Sequence, residues 1–368
     1  MPDPTRAGPL HCCHTAWKGT RLARPDDESS TNVTLADVAR RARVSPATAS
    51  RVINGSNKPV ADGLRERVLK AVADLRYVPN AHAQNLARAQ RSAVGVIVHD
   101  VSDPYFAEIT RGLQRIASSF GQLLVICNSY RDPQRELEYV ALLRAQQAGA
   151  LVLAGSGYHD AEFTRQLNGQ LRAYAETGGR VALIGRHELV GAAVLPDNEN
   201  GAYAIGTAVF GHGHRRVAVI AGPRNLTTTT DRLSGVRRAA NEKGVPLPAK
   251  RINYADFTRD GGASAAFDLL QAEPDLTAII ALNDSMAVGA LSVLRQRGVD
   301  VPGQVSVTGF DDMPIARDVT PALTTVRLPL VEMGERAMSL ALGGTQIGHV
   351  ESAYSELMWR SSLAAPPS

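Results

Sequence analysis

The sequence predicts an α/β protein: a small all-α helix-turn-helix module at the N-terminus, followed by two doubly wound parallel α/β subdomains. Three observations predict this architecture. The chain has 368 residues, too many for a single small domain. Residues 32–79 place apolar side chains at helical spacing, whereas residues 92–361 alternate short apolar runs with segments long enough for helices. The composition, 44% apolar and 21% charged, is that of an ordinary globular protein.

Positive charge is concentrated in one short part of the chain. Residues 32–91 hold 11 Lys and Arg against 4 Asp and Glu, residues 1–31 hold 4 against 4, and residues 92–368 hold 25 against 28. A localised basic excess is typical of a surface that neutralises the phosphates of nucleic acid. From charge alone, a solvated basic face is an equal alternative.

The first 31 residues mix Pro, Gly, His, Cys and charged residues without periodicity, so we expect a disordered extension. They contain no apolar block of signal-peptide type, and nowhere does the chain approach the roughly 18 apolar residues that span a membrane. We therefore expect a cytoplasmic protein without membrane contact. The three cysteines are too few for a disulfide framework, and the run His11-Cys12-Cys13-His14 lacks a zinc spacing. We expect neither a metal nor a cofactor.

Three helices are predicted in the N-terminal module. Thr34 can cap the first helix, and Asp37 completes a capping box. Ser45 can cap a second helix with Pro46 at its first position, after a joint of only two residues. This second helix presents small polar side chains, which let its backbone approach DNA and suit insertion into the major groove. A third helix over about residues 62–75 supports the other two.

Seven continuous apolar runs predict the strands of the α/β region. Because these runs are apolar throughout, we expect strands that are buried on both faces, in parallel sheets covered by helices. Seven strands exceed one small sheet, which favours two subdomains with a ligand cleft beyond the carboxyl ends of the strands. The runs are Val94–Val98, Leu123–Ile126, Ala150–Leu153, Val181–Ile184, Val217–Ala221, Ala278–Ala281 and Val305–Thr308.

Three runs in the N-terminal module form a specific pattern: VTLADVA from Val33, VSPATASRVIN from Val44 and YVPN from Tyr77. Together they closely resemble the DNA-binding headpiece of the lactose-repressor (LacI/GalR) family. The resemblance implies that the second helix reads the major groove of operator DNA. The implied base contacts are Pro46, Ala47 and Arg51, and the implied phosphate or positioning contacts are Ser45, Thr48, Ser50 and Asn54. For Arg51, a surface salt bridge is the alternative.

The segment NAHAQNLA from Asn80, within residues 80–91, resembles the hinge helix of the same family. In that family, paired leucines wedge into the minor groove and kink the DNA. The resemblance gives this role to Leu86 and includes Asn80 among the DNA contacts, with packing on its own domain as the alternative for Leu86. Arg43 and Arg76 stand where the family often has glycine. Because a left-handed arginine costs about 1 kcal/mol, we expect differently shaped joints there.

Further clusters follow in residues 92–361: DPYF from Asp103, RLSG from Arg232, LNDSMA from Leu282 and GFDD from Gly309. They extend the resemblance, and the family fold here is that of type I periplasmic sugar-binding proteins. Asp103 departs from the asparagine of the family. The resemblance implies a small effector in the cleft and a set of ligand contacts. These are Asp103, Tyr105, Phe106, Thr228, Arg232, Phe257, Asn283 and Asp311.

The chemistry of these side chains suits a polyol. Arg232 and Asp311 can bracket vicinal hydroxyls, Asn283 can donate and accept, and Phe257 or Phe106 can cover an apolar sugar face. We therefore expect a carbohydrate, with a purine corepressor as the alternative because aromatic faces also stack on purines. Each residue also has a purely structural explanation, either core packing or capping of the next helix.

These features together predict a DNA-binding transcription regulator, in the first instance a repressor. It would bind a pseudo-palindromic operator as a homodimer under the control of the cleft ligand. A solute-binding protein for sugar uptake would fit the cleft equally well, but it needs export and has no use for a basic headpiece. An enzyme would need a phosphate loop, and the sequence has neither G-x-G-x-x-G after a strand nor G-x-x-x-x-G-K-[ST]. Residues 362–368 form a tail without a leucine heptad.

Overall fold

The computed structural model describes residues 33–54, 59–78 and 93–367. The chain divides into two compact units, Met1–Arg88 and Ala89–Ser368. The predicted N-terminal extension and the whole of the predicted hinge, residues 80–91 with Asn80 and Leu86, lie outside the described residues. None of the described helices is both long and apolar enough to cross a membrane.

The first unit contains the three predicted helices, α1 (Leu35–Ala42), α2 (Pro46–Asn54) and α3 (Asp62–Asp74). The predicted capping box is confirmed. The hydroxyl of Thr34 accepts the Asp37 N–H at 3.3 Å, and the Asp37 carboxylate accepts the Thr34 N–H at 3.0 Å. The three helices share a small core around Val38, Ala49 and Val68, which are completely buried.

The expectation of differently shaped joints at the two arginines is wrong. Arg43 and Arg76 adopt left-handed backbone conformations, with φ of +55° and +47°. At each joint the next residue closes the end of the helix: Val44 N–H donates to Ala39 O and Tyr77 N–H donates to Val72 O, both at 3.0 Å. These bonds satisfy carbonyls at the helix end, and Val44 and Tyr77 pack on the core, which together offset the backbone strain.

The second unit contains twelve strands and nine further α-helices in its described residues. The strands are β1 (Ala93–Val98), β2 (Leu123–Asn128), β3 (Ala150–Ala154), β4 (Arg180–Ile184), β5 (Ala192–Leu195), β6 (Val217–Ala221), β7 (Ile252–Tyr254), β8 (Ala278–Ala281), β9 (Ser306–Thr308), β10 (Thr325–Arg327), β11 (Val350–Ser352) and β12 (Glu356–Met358). The helices are α4 (Pro104–Ser119), α5 (Pro133–Ala145), α6 (Ala161–Glu176), α7 (Asn198–Gly211), α8 (Thr227–Glu242), α9 (Arg259–Ala272), α10 (Asp284–Gln296), α11 (Ile315–Asp318) and α12 (Leu330–Gly343).

Two parallel sheets define two subdomains, as the sequence predicts. The first subdomain has six strands in the order β11-β5-β4-β3-β1-β2, and the second has four in the order β7-β6-β8-β9. Strands β10 and β12 form a separate antiparallel pair. All seven predicted strands are confirmed. Strands β7, β10, β11 and β12 were not predicted, because their three residues include polar ones and form no continuous apolar run. Strand β5 is a short apolar run that was not predicted either.

The prediction that every apolar strand is buried on both faces is wrong for β2. This strand lies at the edge of its sheet and pairs with β1 alone. Leu123, Val125 and Ile126 are 70%, 44% and 41% exposed. The continuous apolar run of β2 therefore does not mark a central strand; it leaves an apolar face uncovered in the single chain.

Candidate functional site

The predicted DNA-contacting residues of the first unit lie on α2 and just before it. Ser45, Pro46, Ala47 and Arg51 are exposed. The neighbouring arginines of α1 are paired, Arg40 with Asp37 at 2.8 Å and Arg41 with Asp74 at 3.1 Å. Within the described residues Arg51 has no such ion pair, so its guanidinium remains available to a base or a phosphate.

The other predicted contacts on α2 are half-buried and bonded to their neighbours. The hydroxyls of Ser45 and Thr48 lie 2.9 Å apart, and the Ser45 hydroxyl also accepts the Thr48 N–H at 3.1 Å. Asn54 donates to the Ser50 hydroxyl at 3.0 Å. These bonds fix the shape of the polar face of α2, which suits the positioning role that the sequence assigns to these residues.

A cleft of about 380 Å³ lies in the second unit between its two subdomains. Every residue of its lining follows the carboxyl end of a strand, where open parallel sheets bind their ligands. The structure brings all eight predicted ligand contacts together there. The lining consists of His99, Asp103, Tyr105, Phe106, Arg131, Gly155 and Ser156 from the first subdomain, and Thr228, Arg232, Phe257, Asn283 and Asp311 from the second.

The charged centre of the cleft is an ion pair between α8 and the turn after β9. An Arg232 N–H donates to the Asp311 carboxylate at 2.7 Å, and the Arg232 Nε donates to Asn198 at 2.8 Å. The guanidinium also lies over the ring of Phe310, 3.9 Å from its centroid. Burial raises the pKa of Asp311 to about 6, although the Arg232 guanidinium acts to lower it. The pair forms without a ligand. It places the N–H donors of Arg232 beside the acceptor oxygens of Asp311.

The backbone at Asp311 is strained, and hydrogen bonds to neighbouring residues hold it in this conformation. Asp311 and Asp312 have φ of +106° and +53°, values that residues other than glycine rarely adopt. The Asp311 N–H donates to Val326 O at 2.7 Å. The buried Asp312 carboxylate accepts the Arg327 Nε at 2.8 Å and also binds Arg360. This network fixes the turn that points Asp311 into the cleft.

Two predicted contacts also cap helices, so the structural alternative holds for them alongside any ligand role. The Asn283 side chain accepts the Met286 N–H at 2.8 Å and donates to Phe257 O at 3.2 Å. Asp103 accepts the Tyr105 N–H at 3.0 Å, and burial raises its pKa. An amide has four hydrogen-bonding positions, so Asn283 retains capacity for a ligand.

Aromatic rings form the apolar walls of the cleft. The ring centroid of Phe106 lies 5.0 Å from that of Tyr105 and 5.5 Å from that of His99, at interplanar angles of 85° and 62°. Burial raises the pKa of the Tyr105 hydroxyl, which therefore stays protonated. On the other wall Phe257 packs so tightly on Gly222 that a Cβ there would lie 2.1 Å from the ring. Gly222, which follows β6, thus makes room for an aromatic wall.

Sequence reasoning missed four residues of the lining: His99, Arg131, Gly155 and Ser156. Each follows β1, β2 or β3, so the strand-end rule, applied to all the predicted strands, would have found them. Burial, helped by the positive charges of Arg131 and of a protonated His187, lowers the pKa of His99 to about 3, so its imidazole is neutral. Gly155 has φ of +136°, and a Cβ at this position would lie 2.9 Å from the His99 ring.

Direct bonds join the two subdomains beside the cleft. Ser156 donates to the Thr228 hydroxyl at 2.7 Å, and the Thr227 hydroxyl donates to Arg186 O at 2.9 Å. Arg186 in turn forms a bidentate pair with Asp231. The N-terminal turn of α8 is therefore bound to the first subdomain.

In the described part of the chain, no group of three or more His, Cys, Asp or Glu side chains could hold a metal ion. The run from His11 to His14 lies outside it. The cleft chemistry is therefore that of hydroxyls, amides, one neutral imidazole, two arginines and two carboxylates.

Comparison with known proteins identifies both units. Residues 34–80 match the model of the bacterial regulatory proteins of the lacI family, and residues 208–363 match that of the periplasmic binding protein-like domain. The HTH-type transcriptional regulator GalR of Escherichia coli K12 is 34% identical over 347 residues, covering 91% of this chain and 96% of GalR. The chain belongs to the LacI family of transcriptional regulators.

Solved LacI-family structures share this architecture. The complex of the transcriptional regulator CelR with cellobiose is 30% identical, with a TM-score of 0.66, and the match covers 90% of this chain and 99% of CelR. The lac repressor dimer bound to operator and the anti-inducer ONPF matches in fold, with 24% identity, a TM-score of 0.76 and the same coverage. This LacI-family protein is thus a transcriptional regulator with a DNA-binding and an effector-binding domain, and a repressor role fits. Its relatives are regulators and not enzymes.

Proposed function

We propose that this LacI-family regulator binds a pseudo-palindromic operator as a homodimer and that a carbohydrate in the cleft changes its operator affinity. The observation that carries the proposal is the convergence of eight ligand-type side chains on one cleft of about 380 Å³. Small-molecule sites combine apolar walls with a few placed polar groups, and the lining of this cleft has both.

A carbohydrate fits this cleft better than a purine. The Arg232–Asp311 pair and the Asn283 amide offer adjacent donors and acceptors, which match neighbouring hydroxyls. The similarity to the cellobiose complex of CelR also favours a sugar.

The DNA contacts are proposed on the exposed face of α2. The Arg51 guanidinium would read a guanine edge, while Pro46 and Ala47 would give apolar contacts. Asn80 and Leu86 are assigned to the hinge by resemblance alone. Leu86 and its copy in the partner chain would wedge into the minor groove.

The uncovered edge of the first subdomain supports a homodimer. Strand β2 exposes Leu123, Val125 and Ile126, and the adjoining Phe120 is also exposed. Large apolar patches on edge strands are normally covered by a partner. A second copy would cover this one and bring two headpieces to two operator half-sites, which multiplies their affinity. Val125→Lys should convert a dimer in sedimentation experiments into a monomer that still folds.

Thermodynamic linkage between ligand binding and operator binding would regulate the protein. A ligand that holds the two subdomains together favours one arrangement of the dimer, and the paired hinge segments order or melt with it. Occupancy of the cleft then changes operator affinity through a difference in binding free energy, with no covalent step.

The test begins with operator fragments selected by the full chain from random duplex DNA. Arg51→Gln should lose about 1 to 3 kcal/mol of discrimination at one base pair of each half-site. Arg41→Gln removes the same charge from α1 and should weaken binding to all sequences alike. Sequence-blind binding by the wild type would refute the proposal, and so would selected sites without two-fold symmetry.

A further inference from the structure

Arg131 brings a second guanidinium to the cleft. It follows β2, in a turn where Tyr130 and Arg131 have φ of +53° and +60°. Two consecutive left-handed residues strain the backbone. Two backbone hydrogen bonds stabilise the turn. The Tyr130 N–H donates to His99 O at 2.7 Å, and the Asp132 N–H donates to Ser129 O at 3.0 Å. Strain of this kind is retained where the residue it positions has a use.

The guanidinium of Arg131 has no anionic partner. Within residues 33–54, 59–78 and 93–367, its side chain makes neither a hydrogen bond nor an ion pair, and its Nε is buried without an acceptor. The guanidinium carbon lies 5.8 Å from the centroid of the Phe257 ring, in a cation–π arrangement. Within the described residues none of its five N–H donors has a protein acceptor, and Nε is the one that is also shielded from solvent.

The other charged groups of the cleft are already engaged. Arg232 and Asp311 pair with each other at 2.7 Å. Asp103 accepts the Tyr105 N–H, and burial raises its pKa, although the positive charge of Arg131 acts to lower it. Behind the cleft, Glu136 accepts the hydroxyls of Ser129 and Tyr158, and burial raises its pKa to about 7. The positive charge of Arg131 therefore faces the ligand space without a full counter-charge.

We infer that the carbohydrate bound by this cleft carries an anionic group, a carboxylate or a phosphate, which pairs with Arg131. This inference rests on the proposed function, because it names the class of carbohydrate that the same cleft takes. A guanidinium fork matches either oxyanion with two parallel hydrogen bonds. Pairing would satisfy the donors that the folded chain leaves free, while the Arg232–Asp311 pair and Asn283 receive the hydroxyls.

The surroundings of Arg131 suit an oxyanion in other respects. Ser156 and Thr228 bring hydroxyls to the same cleft, and Thr228 lies in the first turn of α8, which begins without a side-chain cap. The N-terminus of a helix of 16 residues favours negative charge. The imidazole of His99 is neutral and adds no charge. The positive potential at the ligand space therefore comes from Arg131 and from the N-terminus of α8.

The contact between Arg131 and Phe257 supplies the competing explanation, in which Arg131 only supports an aromatic wall. The two explanations differ in ligand preference. A supporting role predicts equal losses for neutral and anionic sugars when Arg131 is changed. A pairing role predicts a loss confined to the anionic ones, with partial rescue by lysine.

The experiment measures binding of sugars to the full-length protein by isothermal titration calorimetry. The probes are glucose, galactose and cellobiose, the corresponding hexuronic acids, the hexose 1- and 6-phosphates, and inorganic phosphate. An anionic sugar should bind about 10- to 100-fold more tightly than its neutral parent. Arg131→Gln should abolish that preference, and Arg131→Lys should restore part of it. Uronates and phosphates form separate arms, so the data also tell which oxyanion is recognised.

Arg165→Gln is the matched control, since Arg165 is 71% exposed on α6 and pairs with Glu162, away from the cleft. It should leave all affinities unchanged. Tighter binding of a neutral sugar than of its anionic derivatives would overturn the inference, and so would an unchanged preference in Arg131→Gln or the absence of binding by every anionic probe. Operator selection is measured in a separate experiment. If the protein binds its operator and a neutral sugar changes that binding, this inference is refuted but the proposed function is not.

Discussion

Arg232 and Asp311 form an ion pair at 2.7 Å in which the side chains are only 3% and 5% exposed. The pair joins α8 to the turn after β9, so it belongs to the second subdomain alone and is complete before any ligand arrives. Removing one member of such a pair leaves an uncompensated buried charge.

Asp311→Asn is therefore expected to lower the free energy of unfolding by about 3 to 5 kcal/mol. Asp231→Asn, on the same helix as Arg232, breaks a bidentate pair with the largely exposed Arg186 and should cost less than about 1 kcal/mol. Urea denaturation of the two variants measures both losses. Equal losses would mean that the burial of Arg232 has no energetic consequence.

Glu136 makes the stability of the second unit depend on pH. Its carboxyl receives the Tyr158 and Ser129 hydroxyls and lies 3.7 Å from the neutral His99, and burial raises its pKa from 4.5 to about 7. Between these pH values the folded state holds a proton that the unfolded state releases. The stabilising contribution of Glu136 is thus present below about pH 4.5 and is lost as the pH rises through 7.

Glu136→Gln imitates the protonated carboxyl at every pH. Its unfolding free energy should match that of the wild type near pH 5 and exceed it by about 1 to 3 kcal/mol at pH 8. Titration of His99 in the unfolded state is common to both proteins and cancels in the difference. The exposed Glu162→Gln provides the control, with a pH-independent difference in denaturation midpoint. A Glu136→Gln curve parallel to that of the wild type would show that Glu136 titrates normally.

Helices α4 and α12 cross in backbone contact at two glycines. A Cβ at Gly112 would lie 2.0 Å from Val331 O, and a Cβ at Gly334 would lie 2.2 Å from Ile109 O. Gly112→Ala should therefore destabilise the protein by about 3 kcal/mol or more, because the helices must separate. Gly169→Ala on α6, where a Cβ meets nothing within 4 Å, should stabilise it by up to about 1 kcal/mol. Thermal unfolding should show a lower melting temperature for Gly112→Ala and a higher one for Gly169→Ala. An unchanged melting temperature in Gly112→Ala would contradict the close crossing of the two helices.

The left-handed arginine after α1 predicts a substitution that stabilises the protein. Arg43→Gly removes the Cβ clash at φ of +55° and should raise the stability of the first unit by about 1 kcal/mol. Arg41→Gly, two residues earlier inside α1, should lower it by about the same amount because glycine weakens a helix interior. Both variants lose one positive charge. Hydrogen-exchange protection of the α3 amides measures the stability of the first unit in both variants. If Arg43→Gly and Arg41→Gly both raised or both lowered this stability, backbone strain at Arg43 would be excluded as the cause.

Several features of this protein follow from the sequence by itself, because they depend on groups close together in the chain. Thr34 and Asp37 cap α1 through bonds over three residues, and Pro46 can only begin a helix. The strand cores are local as well. The eight cleft residues and the DNA-contacting face of α2 could be named without coordinates because of the resemblance to the LacI family.

The tertiary structure decided what depends on distant partners. The apolar pattern of β2 is that of a buried strand, and only its place at the edge of the sheet leaves Val125 uncovered. Strand β11 joins the first sheet from the far end of the chain, across more than 150 residues from β5. Arg131 shows the same limit: a charged residue after a strand is ordinary in a sequence. Its role depends on the acceptors that reach it, and among the described residues the fold places the Phe257 ring near its guanidinium without an ion-paired carboxylate.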